Sequence, residues 1–107
     1  TPELRRRGLA GRTEVPANGG MYFRFDEPAY RVFWMKGMIV PIDIIWLHGV
    51  VVSGVAERVL PPPPGAADDA IPRLASPGPV DLVIELAAGR AGEIGLAVGQ
   101  RVEILLP

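Results

Sequence analysis

The chain of 107 residues contains no cysteine, and this absence removes several kinds of chemistry at once. Disulfide bonds, thiolate metal sites, a cysteine nucleophile and thiol redox reactions are all excluded. The chain also has a single histidine, His48, so carboxylates are the only other strong metal ligands that it offers. We therefore expect no metal site and no cofactor.

The chain also lacks an excess of charge of either sign and any long apolar run. Its net charge is −1, whereas a protein that binds nucleic acid or an anionic membrane needs a clustered basic face. The longest apolar run, residues 39–47, is interrupted by Pro41 and Asp43, and a membrane-spanning helix needs about 18 apolar residues or more. We therefore expect neither nucleic-acid binding nor a membrane span.

Length and composition predict a single globular domain over residues 1–107. Apolar residues make up 49% of the chain and charged residues 21%, which is typical of a folded protein and not of a disordered one. A chain of this length buries roughly 65% of the surface that it exposes when unfolded. It can therefore form a core without disulfide bonds.

Short stretches of alternating or apolar residues predict strands. In residues 21–25 the side chains of Met21, Phe23 and Phe25 face inward, with polar or amphipathic residues between them. Further strands are predicted at 30–35, 41–47, 50–59 with a bulge at Gly54, 80–86 and 101–106, and short helices before Gly8 and at 87–94. His48-Gly49, between two apolar β-branched runs, predicts a hairpin turn. Strands without long helices between them predict a mainly β fold, a small antiparallel β-sandwich or barrel with one or two short helices.

The segment of residues 60–79 contains seven prolines, four of them consecutive at 61–64. Loops longer than about 12–15 residues are uncommon in compact domains and are often functional. We interpret the segment as a stiff surface loop whose composition avoids strand pairing. The alternative is a polyproline segment that another protein recognises.

Asp43 is the first candidate for a functional residue because its neighbours in the predicted third strand are apolar. Strand alternation places Ile42, Ile44 and Trp46 on one face and Asp43, Ile45 and Leu47 on the other. A carboxylate among isoleucines is expected to be at least half buried, and it then needs a partner.

The partner of Asp43 is expected to be Arg12 or Lys36, or a set of loop N–H groups. In either case the role of Asp43 would be structural. The alternative is a catalytic carboxylate, since burial of this kind perturbs a pKa in the way that acid–base catalysis requires.

Five aromatic residues lie close together on predicted strands, namely Tyr22, Tyr30, Phe33, Trp34 and Trp46. Their rings could pack in the core or stack against a sugar or another ring. We take Arg12, Trp34, Lys36, Asp43 and Trp46 as the candidate ligand-binding residues. No nucleophile motif accompanies them, because Ser53 and Ser76 have no Gly-x-Ser-x-Gly setting.

Several ordered blocks of the sequence are typical of one family. They are TPELRRRGL at 1–9, Arg12, GM at 20–21 with Phe23 and Phe25, FWMK at 33–36, PIDI at 41–44 and ELAAG at 85–89, with a closing turn at Gly95, Leu96, Gly99 and Val102. In this order they resemble the domain-of-unknown-function 192 family over essentially the whole chain. Gly37-Met38 departs from the Asn-Thr that usually follows the Met-Lys of the family.

The resemblance implies a small β-rich domain of sandwich or jelly-roll type, found in bacteria and archaea and often behind a signal peptide or lipid anchor. It therefore implies a periplasmic or extracellular location and no established activity. The leading hypothesis is a non-catalytic binding or accessory module for a small polar ligand such as a saccharide. One alternative is a hydrolase or isomerase that uses Asp43 as acid or base, which requires that Asp43 is not enclosed by the core. Another is a structural or protein-interaction module.

Overall fold

The computed structural model describes residues 20–102. In chain order this part contains the strands β1 Gly20–Ala29, β2 Val32–Trp34, β3 Ile42–His48, β4 Val51–Val59, β5 Arg73–Ala75 and β6 Val80–Ala87, then the short helix α1 Arg90–Glu93, with a 3-10 helix at Asp68–Ala70 between β4 and β5. The predicted mainly β fold with antiparallel strands is confirmed. The helix predicted before Gly8 and residues 103–106 of the last predicted strand lie outside the described residues.

Four of the strands form one antiparallel sheet in the order β1-β6-β3-β4. The strand β6 is the last of the described strands along the chain but lies inside the sheet, so that Val83 pairs with Phe23 on one side and with Trp46 on the other. The strands β3 and β4 are joined by a hairpin, as the sequence predicts, with its turn at Gly49 and Val50, one residue later than the predicted His48-Gly49. Within residues 20–102, no helix is long and apolar enough to cross a membrane.

Both faces of β3 are covered, which explains its nearly uninterrupted apolar sequence. Ile42, Ile44 and Trp46 belong to one buried cluster, and Ile45 and Leu47 belong to a second. The predicted alternation of β3 is therefore confirmed. We call the side of the sheet with Ile44 the first face and the side with Ile45 the second face.

A second, two-stranded antiparallel sheet made of β2 and β5 packs on the first face. Phe33 pairs with Leu74, and both side chains pack against the buried cluster of that face. The strand β5 and the 3-10 helix lie inside the segment 60–79, so the prediction that this segment is loop throughout is corrected. Its four-proline run ends in a turn in which Ala66 N donates to Pro63 O at 3.1 Å.

Two bulges interrupt the pairing of β3 with β4. The first lies beside Asp43, because Ile42 pairs with Val59 while Ile44 pairs with Ala56. The second lies between the pairs Trp46–Gly54 and Leu47–Val52, where the sequence predicts a bulge at Gly54. A Cβ at residue 54 would lie 2.9 Å from Pro77 Cγ, so only glycine fits there without a shift.

Candidate functional site

The carboxylate of Asp43 is completely buried and accepts hydrogen bonds from three backbone N–H groups. Oδ1 accepts from Arg58 N at 2.8 Å and from Gly89 N at 3.0 Å, and Oδ2 accepts from Ala91 N at 2.8 Å. The side chain is 0% exposed. Buried charges are tolerated when they are hydrogen-bonded in this way, and such bonds are stronger than those between neutral groups.

The position of Asp43 follows from the second face of the sheet. α1 begins beside β3 on that face, and Gly89, the residue before α1, has a left-handed conformation with φ 88°. The first N–H groups of a helix have no partner within the helix. The carboxylate of Asp43 accepts from Gly89 N and Ala91 N, and so holds the turn between β6 and α1 against β3.

These contacts show backbone N–H groups, one of the kinds of partner that the sequence left open for Asp43. Lys36 does not reach it, because Lys36 Nζ pairs with Asp68 Oδ2 at 2.9 Å. Arg12 lies outside the described residues. The partners that the structure shows are backbone N–H groups from β4, from the residue before α1 and from α1 itself.

Arg58 is the residue of this region that sequence reasoning missed. It lies in the bulge opposite Asp43 and has φ 50°, which makes it the one residue other than glycine with positive φ among residues 20–102. Its side chain is exposed and extends over Gly89, where a Cβ would lie 2.9 Å from Arg58 Nη2. No local sequence signal marks this arrangement, since it depends on the register of β3 against β4.

A second group of candidate residues surrounds Trp34. Arg73, which pairs with Trp34 across β2 and β5, places Cζ 4.5 Å from the centre of the indole ring, and Lys36 places Nζ 5.1 Å from it. Both distances are typical of cation–π contacts. We call the partly exposed Trp34, Lys36 and Arg73 together the Trp34 surface. Arg73 was missed from the sequence because the pairing of β2 with β5 was not predicted.

Trp46, in contrast, is a core residue. It is 5% exposed, lies on the first face, and its Nε1 has no hydrogen-bond acceptor among the described residues. The structure therefore brings Trp34 and Lys36 together, places Trp46 below the surface, and puts Asp43 on the opposite face of the sheet from Trp46. These residues do not line one common cleft.

A second buried carboxylate, Glu85, lies on the first face between Met21 and Ile44, and its side chain is 0% exposed. Asp43 and Glu85 thus lie on opposite sides of the same sheet. In the part of the chain from 20 to 102, no three His, Asp or Glu side chains are grouped in a way that could hold a metal ion.

The fold and these sites define a small antiparallel β domain, and comparison with known proteins gives its family. The model of the DUF192 family, described as "Uncharacterized ACR", matches residues 1–104. The chain therefore belongs to this family, as the resemblance of its sequence blocks predicts. No curated protein shows significant similarity to the chain.

Two crystal structures are similar over nearly the whole chain. One is a protein of unknown function from Novosphingobium aromaticivorans, with 30% sequence identity, a TM-score of 0.83, and coverage of 97% of this chain and 70% of that one. The other is described as a "putative transcription regulator" from Sinorhizobium meliloti, with 30% identity, a TM-score of 0.80, and coverage of 96% of this chain and 75% of that one.

Proposed function

We propose that the chain is a non-catalytic, extracytoplasmic binding module, and that the Trp34 surface binds its ligand, a small polar molecule such as a saccharide. The observation that carries the proposal is the partly exposed indole of Trp34 with Lys36 and Arg73 close to its ring. The extracytoplasmic location rests on the family resemblance.

The chemistry of the Trp34 surface suits a polar ligand with an apolar ring face. A flat indole offers a stacking surface, and the neighbouring cations offer hydrogen-bond donors to hydroxyl or carboxylate groups. Arg73 is held by its Nη1, which donates to Ile71 O at 3.2 Å. Lys36 is more adaptable, because both it and its partner Asp68 are more than half exposed, at 51% and 59%. A ligand that stacks on Trp34 can therefore displace the Lys36 ammonium from the ring.

The geometry of Asp43 counts against the enzymatic alternative. A general acid or base must come within hydrogen-bond reach of the substrate, at about 2.6–3.2 Å. Asp43 is 0% exposed, and both of its oxygens already accept backbone hydrogen bonds. A carboxylate enclosed in this way cannot reach a substrate, so we do not expect Asp43 to act in catalysis.

The neighbour described as a "putative transcription regulator" raises DNA binding as another function. The present chain offers little support for it. α1 has four residues, which is too short to read a major groove as recognition helices do, and the net charge of the chain is −1. We therefore retain a small molecule as the proposed ligand.

A protein partner for the segment 60–79 is also less well supported. Pro61 and Pro62 are half buried, and the run turns back at Gly65, which has φ 76°. A polyproline ligand needs an extended and accessible run. The exposed part of this run, Pro63 and Pro64, belongs to the turn.

Titration calorimetry with a panel of saccharides and polar metabolites tests the proposal. We expect saturable binding by the unaltered protein and roughly a tenfold loss for Trp34→Ala, since the stacking of a nucleic-acid base on one aromatic side chain contributes about 1–3 kcal/mol. Tyr30→Ala is the matched control, because Tyr30 is a 72% exposed aromatic residue that belongs to neither cation–π pair. An absence of heat across the panel, or equal losses for both variants, would contradict the proposal.

A further inference from the structure

We propose that Arg58 forms a second binding site, independent of the Trp34 surface, for an oxyanion group, carboxylate or phosphate, of a small ligand. The site consists of the Arg58 guanidinium where it lies over Gly89. The backbone of Arg58 is held by a hydrogen bond to Asp43, and its guanidinium has no acceptor within residues 20–102.

The bulge in β4 sets the backbone conformation of Arg58. The register of β3 against β4 leaves Glu57 and Arg58 together opposite Asp43, and Arg58 has φ 50°. A residue with a Cβ enters this region rarely and at a free-energy cost. The conformation is held by the bond from Arg58 N to the buried Asp43 carboxylate at 2.8 Å. Bulges of this kind are known to redirect a side chain.

The other end of the same residue lies over Gly89. A Cβ at residue 89 would lie 2.9 Å from Arg58 Nη2 and 3.3 Å from its Cζ, so the guanidinium occupies the space that any larger residue would fill. Gly89 N also donates to Asp43, at 3.0 Å. One buried carboxylate therefore positions both the backbone of Arg58 and the glycine under its guanidinium.

The guanidinium itself has no ion pair and no hydrogen-bond acceptor within residues 20–102. Other arginines that pack on the protein do have such acceptors there: Arg31 donates to Glu27 O, Arg73 to Ile71 O and Arg90 to Glu93. Arg58 thus combines a backbone held by Asp43 with an exposed guanidinium that has five free donors. A planar guanidinium suits a carboxylate or phosphate, which it can bind through two parallel bonds.

The surrounding charges limit the strength of the site. Arg90 Nη1 bonds Glu93 Oε2 at 3.1 Å, and Glu57 Oε1 lies 3.4 Å from the position of a Cβ on Gly92. Two carboxylates therefore offset part of the positive charge of Arg58 and Arg90. We expect a dissociation constant of about 1 mM for a simple oxyanion.

Nuclear magnetic resonance titration tests the site with inorganic phosphate and with acetate, against sodium chloride at equal ionic strength. We expect a saturable shift of the Arg58 Nε–H resonance with at least one of the two anions, and none with chloride. The anion that binds more tightly identifies the ligand group. The site is refuted if neither phosphate nor acetate gives a saturable shift at Arg58.

The variant Arg58→Lys keeps the charge and removes the planar fork, so we expect binding to weaken by roughly tenfold. Arg24→Lys is the matched control, because Arg24 is an exposed arginine on an edge strand without the contacts that fix Arg58. Equal affinity in Arg58→Lys and the unaltered protein would mean that Arg58 only packs against Gly89. Because the Arg58 resonance of the unaltered protein is itself a readout, the test does not depend on the folding of the variant.

Discussion

The buried carboxylate of Asp43 accepts the backbone N–H of Arg58, the residue of the adjacent strand that has a left-handed conformation. The same carboxylate accepts N–H groups of Gly89 and Ala91, which lie 46 and 48 residues away along the chain. Asp43 thus joins β3, the β4 bulge and the start of α1. Its role in the described structure is to hold three segments together.

Replacing Asp43 with asparagine should destabilise the protein by about 3 kcal/mol. The asparagine side chain would place its NH2 group against backbone N–H groups that need an acceptor. Each unsatisfied buried donor costs about 1–3 kcal/mol. Urea denaturation measures the difference. Asp81→Asn is the control, because Asp81 is only half buried and accepts a single N–H, from Gly49 at 3.0 Å. We expect a loss of about 1 kcal/mol or less there, and equal losses at both positions would contradict the role given to Asp43.

Replacing Gly89 with alanine should be more damaging than replacing Gly99. The two glycines have nearly the same φ, 88° and 87°, but a Cβ at 99 meets nothing within 4 Å, whereas a Cβ at 89 meets Arg58. Both variants incur the strain of a left-handed residue, and Gly89→Ala also displaces the exposed guanidinium of Arg58, for a further loss below about 1 kcal/mol. In an Arg58→Ala background the further loss should vanish. If Gly89→Ala remains more destabilising than Gly99→Ala in this background, the contact with Arg58 is not the cause of the difference.

Gly54→Ala should destabilise the fold by about 1–3 kcal/mol, because a Cβ there would lie 2.9 Å from Pro77 and 3.1 Å from Trp46. Gly78 offers a nearby comparison, since a Cβ at 78 meets nothing within 4 Å. We expect Gly78→Ala to leave the midpoint of thermal unfolding nearly unchanged. Similar midpoints for the two variants would mean that the Trp46 side of the sheet is packed less tightly than the structure indicates.

The ion pair of Lys36 with Asp68 should contribute little to stability, at most about 0.5 kcal/mol, because both side chains are more than half exposed. Lys36→Ala should therefore change the free energy of unfolding less than Asp43→Asn does. Denaturation at low and high salt measures the contribution of the ion pair to the free energy of unfolding. A loss above about 1 kcal/mol that disappears at high salt would indicate a stronger pair than expected for exposed groups.

Much of the fold could be predicted from local patterns. The alternation around Asp43 assigned Ile42 and Ile44 to one face and Ile45 to the other, and the hairpin at Gly49 followed from the apolar runs on both sides of it. The strand β5 was missed, because Arg73, Leu74 and Ala75 are too few to show a period among the surrounding prolines.

The sites depend on contacts between distant parts of the chain, so they could be predicted only in part. Trp34 and Lys36 are two positions apart in sequence and do lie together, but Arg73 joins them only through the pairing of β2 with β5. The partners of Asp43 are backbone groups, whose positions no residue type reveals. The left-handed Arg58 likewise follows from strand register, which the sequence of β4 does not display.

Amide hydrogen exchange of Arg58, Gly89 and Ala91 tests the central claim, that one buried carboxylate binds these three N–H groups. We expect all three to be protected in the unaltered protein, and all three to lose more protection in Asp43→Asn than the amides of β6, which are bonded within the sheet. Rapid exchange of the three amides in the unaltered protein, or protection that Asp43→Asn leaves unchanged, would contradict the claim.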